Sequence, residues 1–257
     1  MLAVLMGGGL VLFGIGSDAG SGGGLLDAIG LGGSGNTAGA DYDKEADALE
    51  KRLAADPKDD KLLLKLARVR ILAGNSKSPA DTATGEINYS QESVQEFEQA
   101  IDAWERYLEA KPKKPDVAAS ILVAQTYVAL AQTERSVVEA VEDLEGAAKA
   151  QKLYAAENPS LGSYSQLALY LYLAGDAGAG DDAAKKALAD ATSANRNVLK
   201  QRLEEAKKQG KQLAKQVKTA SKQQASKEQL ENPLGGLSGG GGGLGGGLGG
   251  PAPGAQP

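Results

Sequence analysis

The chain has 257 residues, enough for one domain with extensions, and its 28 Lys and Arg against 33 Asp and Glu leave a net charge of −5. It contains neither Cys nor His, which removes thiol nucleophiles, disulfides, Cys/His zinc sites, lipid attachment through Cys and every His-dependent triad. No pair of carboxylates or lysines is marked out as acid and base, so the composition points to a non-enzymatic protein with no cofactor and no metal.

Residues 1–16, MLAVLMGGGLVLFGIG, carry no charged side chain. At ~1.5 Å per residue they reach about 24 Å, short of the roughly 30 Å hydrocarbon core of a bilayer. Gly7, Gly8, Gly9 and Gly14 interrupt the run, as membrane helices tolerate. The first basic residue is Lys44, so the positive start of a signal peptide is missing. The segment is expected to be a single-pass anchor in the cell membrane. If basic residues precede it, the positive-inside rule puts the rest of the chain outside the cytoplasm. A cleaved signal peptide with its exit at residues 17–21, and a glycine-rich tail that touches no membrane, are the alternatives. Residues 17–40 form a Gly/Ser-rich flexible linker around a small apolar island at 25–31. These glycines do not make a phosphate loop, because no strand precedes them and no Gly-Lys-Ser/Thr follows.

From residue 41 the periodicity is helical, and no run of β-branched residues predicts a strand. A first helix, 41–55, places Ala46, Leu49 and Leu53 on one face, and 58–74 pairs with it across Pro57. Residues 75–91 form a polar loop with Pro79 and Gly85, and Ser90 is placed to cap the next helix. That helix, 93–110, carries a core stripe of Val94, Phe97, Ile101, Trp104 and Leu108. Pro112 and Pro115 stop it. The next helix repeats Val117, Ile121, Ala124 and Val128 at helical spacing. Residues 136–157 and 163–175 give a third pair across Pro159, and Gly74 and Gly175 are placed to end their helices.

The last helical stretch begins near Asp181 and extends to about Leu230, interrupted only at Gly210. Leu199, Leu203, Ala206, Gly210, Leu213, Val217 and Ala220 alternate four and three apart along it. The expectation is a helix that caps the last repeat and then extends into solvent. Residues 196–222 are basic, with Arg196, Lys200, Arg202, Lys207, Lys208, Lys211, Lys215, Lys218 and Lys222 against Glu204 and Glu205. This face is either solvated or a contact for an anionic partner. No aromatics interleave the lysines, so stacking on single-stranded nucleic acid is not expected. Residues 232–257 are Gly/Pro-rich and expected to be disordered.

Ser120, Val123, Ala124 and Tyr127, then Ala100, Trp104 and Pro112, resemble the first and second helices of a tetratricopeptide repeat (TPR). Tyr164, Leu167, Ala168 and Leu171 give another first helix, Ala147 and Pro159 another second, and Leu63, Leu66 and Ala67 the weakest first helix. Arg70 stands where the family has Tyr, and Gln151 where it has an aromatic. The resemblance implies an all-α fold: a short right-handed solenoid of antiparallel helix pairs, about three repeats over residues 41–192, with a long C-terminal capping helix over 193–231. It also implies a groove lined by the first helix of each pair, here Leu64, Arg68 and Ile71; Ile121, Gln125 and Val128; and Ser165, Leu169 and Tyr172. Such a lining is largely apolar and suits an amphipathic helix or apolar peptide of a partner protein. The family's carboxylate-gripping groove is not expected, since no Asn lies between Asn88 and Asn158. The expected function is a membrane-tethered scaffold for a partner protein, with secretion or envelope assembly as an analogy from proteins of similar layout. The alternatives are a soluble spacer or adaptor whose basic helix contacts an anionic partner, and an enzyme's carboxylate-based accessory domain.

Overall fold

The computed structural model describes residues 42–78, 87–133 and 136–231, with side chains through Gln223. The expected anchor (1–16), the linker (17–40), residues 79–86 of the expected loop and the Gly/Pro-rich tail (232–257) lie outside the described residues, and the loop's ends at Asn75, Ser76 and Gln91 are helical. The described residues form eight helices: α1 Tyr42–Leu53, α2 Asp60–Ser76, α3 Gln91–Glu109, α4 Val117–Ala131, α5 Val137–Glu157, α6 Leu161–Leu173, α7 Ala177–Asp190 and α8 Ser193–Glu231. Adjacent helices pack as pairs, so the fold is all-α and of helical-repeat type. The chain divides after Val217 into two compact units. The first holds α1–α7 and the start of α8. The second is described only as the remaining turns of α8.

Helices α2 to α7 all begin on an Asp or Ser whose side-chain oxygen accepts from a backbone N–H of the first turn. Asp59 accepts from Lys61 and Leu62 at 3.0 Å each, Ser90 from Ser93 at 3.1 Å and Asp116 from Ala119 at 2.7 Å. Asp176 accepts from Ala179 at 3.0 Å. Ser136 and Ser160 form complete capping boxes with Glu139 and Ser163. Each such cap contributes about 1 kcal/mol by satisfying donors that the helix itself leaves open. The caps therefore set where the helices start, and prolines lie in the turns before α2, α4 and α6.

The sequence reads pairs across the proline turns. The most extensive packing instead joins α2 to α3, α4 to α5 and α6 to α7; the Pro112 and Pro159 turns link one such pair to the next, and the Pro57 turn links α1 to the first pair. Each pair is locked by a glycine under an aromatic ring. A Cβ on Gly74 would overlap the ring of Phe97, one on Gly146 the ring of Tyr127, and one on Gly180 the ring of Tyr172. Gly74 therefore does not end its helix. It sits inside α2, and it is glycine because Phe97 occupies the space of its side chain. Gly175, at φ 87°, does end α6 in the left-handed conformation open to glycine. In an exposed helix Gly→Ala gains up to about 1 kcal/mol. At Gly146 the sign should invert: Gly146→Ala is expected to lose about 1–3 kcal/mol by overpacking against Tyr127, read as a lower urea midpoint.

The last helical stretch is two helices. Ala191 leaves helical geometry at φ −75° and ψ 133°. Its carbonyl accepts from the Arg196 guanidinium at 2.9 Å, and the Thr192 carbonyl accepts the Asn195 and Arg196 N–H groups. The break lets α7 and α8 both pack on α6. Gly210 does not interrupt α8. A Cβ there would collide with the carbonyl oxygen of Tyr172, so glycine is what allows the two backbones to approach. Leu199, Leu203, Ala206 and Leu213 are buried beside it and join one core cluster that reaches back to Ala46 in α1.

Candidate functional site

Among the described residues, surface cavities follow the helix array. One of about 580 Å³ lies between α3, α4 and α5, with Ile101, Trp104, Leu108 and Leu153 in its apolar lining. Its acidic side is Glu105, Glu142, Asp143 and Glu145, with Lys149 as the cation of the lining. A second, of about 550 Å³, lies between α5, α6 and α7 over Leu167, Leu171 and Ala183, and shares Glu145 and Lys149 with the first. Tyr164 borders it, with the Lys186 ammonium 5.1 Å from the ring centroid. A third, of about 360 Å³, lies between α1, α2 and α3 and includes Glu50, Glu98 and Asp102.

None of the nine groove residues read from the sequence lines these three cavities. Ile71, Val128, Ser165, Leu169 and Tyr172 are buried. Leu64, Arg68 and Ile121 are half-buried, and Gln125 is exposed. On α6 the first-helix face is covered by α8: Gly210 packs on the Tyr172 carbonyl, and the Lys207 ammonium lies 5.6 Å from the Tyr172 ring. The accessible lining is therefore confined to α2 and α4, which pack on one another. Arg68 is used structurally. Its guanidinium pairs with Asp116 at 3.0 Å, the same carboxylate that caps α4, and the Asp116 N–H donates to the Tyr107 hydroxyl at 2.9 Å.

Arg70 sits at the centre of a buried ion-pair network. It donates to Glu96 at 2.8 Å and to Glu50 at 2.6 Å, and Lys77 bridges Glu96 and Asp43 at 2.7 and 2.9 Å. The network ties α1, the end of α2 and α3 together. Burial by itself would lower the Arg70 pKa, but the bonds to Glu50 and Glu96 outweigh it and raise the value. The bond to Glu96 likewise raises Lys77.

Five tyrosines are held neutral. Burial pushes the Tyr127 hydroxyl far above its ordinary value, and its 2.9 Å bond to Glu105 adds to the shift. Burial raises Tyr172 in the same way, helped by its 2.7 Å bond to Asp181. Asp181 is held low by Lys207 first and Tyr172 second. Burial pushes Tyr170 up to about 12 and raises Tyr89 and Tyr107. In each case the folded pKa exceeds that of the unfolded chain, roughly 10. The stabilisation is therefore complete below about pH 10 and declines as pH rises beyond it, because unfolded tyrosines ionise first. Tyrosinate absorbance is expected to rise late and to rise together with loss of helical circular dichroism. Ionisation of these five near pH 10 without unfolding would contradict the burial.

The sequence reading passed over the α3–α5 face. A signal was available: Asp102, Glu105 and Glu109 on α3, and Glu142 and Glu145 on α5, recur at helical spacing outside the apolar stripes. Among the described residues no group of three or more Asp, Glu, His or Cys is placed to hold a metal ion, and no helix is long and apolar enough to cross a membrane. No protein-family model, curated protein or solved structure matches the chain.

Proposed function

We propose that the protein is a non-enzymatic, TPR-like scaffold that binds an amphipathic helix or apolar peptide of a partner protein along the first helices of its repeats. The observation that carries this reading is the contact between α2 and α4, which leaves Leu64 and Ile121 half-exposed and Gln125 exposed on consecutive first helices. Apolar side chains repeated once per helix on neighbouring helices suit a segment that lays down an apolar face. The strongly perturbed groups are already engaged in the fold: Arg70 and Lys77 with carboxylates, and Tyr127 and Tyr172 with Glu105 and Asp181. That engagement supports a binding role over acid–base chemistry. The tether belongs to the same proposal and rests on the uncharged run at 1–16. Photocrosslinking tests the groove. A photoreactive residue at Gln125 should capture a protein that one at Gln99, exposed on the second helix α3, does not; equal capture from both positions would reject the groove. For the tether, the full chain should remain with alkaline-washed membranes while a chain beginning at Ser17 is released.

A further inference from the structure

Two charged rows on different helices share one spacing. On α8 the buried seam of Leu199, Leu203, Ala206, Gly210 and Leu213 alternates four and three apart. Lys208, Lys211 and Lys215 are three and four apart, all exposed, on the side about 150° round the helix from that seam. Lys208 approaches Glu205 only to 4.0 Å. In the sequence the same spacing continues through Lys218 and Lys222. On α3, Asp102, Glu105 and Glu109 are also three and four apart and exposed. Each row spans about 10 Å of helix. Asp102 lies 3.4 Å from Arg106, and Glu105 accepts the Tyr127 hydroxyl, yet all three carboxylates keep a face to solvent. Alongside them runs the cavity of about 580 Å³ with Trp104 and Leu108 in its lining and Glu142 and Glu145 on its α5 side.

We propose that this acidic trough is the docking site for α8 of a second copy of the chain. Lys208, Lys211 and Lys215 of one copy run along Asp102, Glu105 and Glu109 of the next. The aliphatic stems of the lysines lie over the apolar lining, and their ammonium ends reach the carboxylates. A second copy fits better than an unrelated basic segment because the two rows are opposite in sign, alike in spacing and length, and occur in the same protein. One chain turns both surfaces outward. The seam of α8 is spent on α6, and the opposite side of α3 is spent on the core through Phe97, Trp104 and Tyr107. The contact joins two different patches, so each copy that docks leaves one trough and one lysine row for further copies, and association is head to tail. The trough belongs to the α3–α5 face and is separate from the α2–α4 lining.

Charge pairs of this exposure are governed by screening, with a Debye length of about 30 Å at 0.01 M salt and about 3 Å at 1 M. Sedimentation velocity of the full chain should therefore show a weight-average coefficient that rises with protein concentration at low salt and returns to the monomer value at high salt. Two charge-reversed chains decide the surfaces. Glu109→Lys/Glu142→Lys/Glu145→Lys alters the trough, and Lys208→Glu/Lys211→Glu/Lys215→Glu alters the helix. Each alone should remain monomeric with unchanged helical circular dichroism, and an equimolar mixture should regain association because each offers what the other lacks. Wild-type chain that stays monomeric at low salt would overturn the proposal, as would a mixture that fails to associate. If wild type stays monomeric while a polylysine peptide shifts the emission of Trp104, a basic segment of another protein occupies the trough and the self-docking is wrong.

Discussion

Trp104→Ala is expected to destabilise the fold by about 3–5 kcal/mol, the range for truncating a large buried aromatic. Trp104 is 2% exposed, and its ring centroid stands 5.2 Å from that of Tyr107. Its partners in the core cluster come from several helices, so the truncation would loosen more than α3. The neighbouring cavity gives the surroundings some room to move inward, which favours the lower half of the range. Urea unfolding followed by circular dichroism measures the loss. A cost under about 1 kcal/mol would mean that the side chain is not packed as described.

Arg70→Met is the second large effect, expected at about 3 kcal/mol. Arg70 and Glu96 are each 7% exposed. Removing one member of a buried pair leaves the other charge without its compensation, which typically costs about 3–5 kcal/mol. Lys77 remains 2.7 Å from Glu96, so the lower end applies. Replacing both charges should be far milder. Arg70→Met with Glu96→Leu is expected within about 1 kcal/mol of wild type, because the desolvation cost of both ions disappears with their attraction. Glu50 and Asp43 are half-exposed along their side chains and keep water when their partners change. A double variant as unstable as the sum of its singles would show that the network contributes net stability.

These two sites differ in how well the sequence announced them. Trp104 lies on a stripe at helical spacing, and burial of that stripe follows from periodicity alone. Arg70 carries no local signal of its burial, and nothing local pairs it with Glu96, which is 26 residues away on another helix. The nine groove positions divide in the same way. Their places on the first helices were legible, but the burial of Tyr172 was not, since it depends on Gly210 bringing α8 across α6.

Sequence by itself determined that the chain is helical, where most helices start and which face of each is apolar. The Asp and Ser caps, the proline turns and the three-and-four spacing act within a few residues, and such effects are written locally. Tertiary structure decided what each apolar face meets. It placed the close pairs at α2/α3, α4/α5 and α6/α7, and it split the last stretch at Ala191. It also gave three glycines three roles: Gly74 beneath Phe97, Gly175 as a helix end, and Gly210 against the Tyr172 carbonyl. Periodicity specifies a buried side but not its partner, and a missing side chain reads the same in sequence whatever fills the space it leaves.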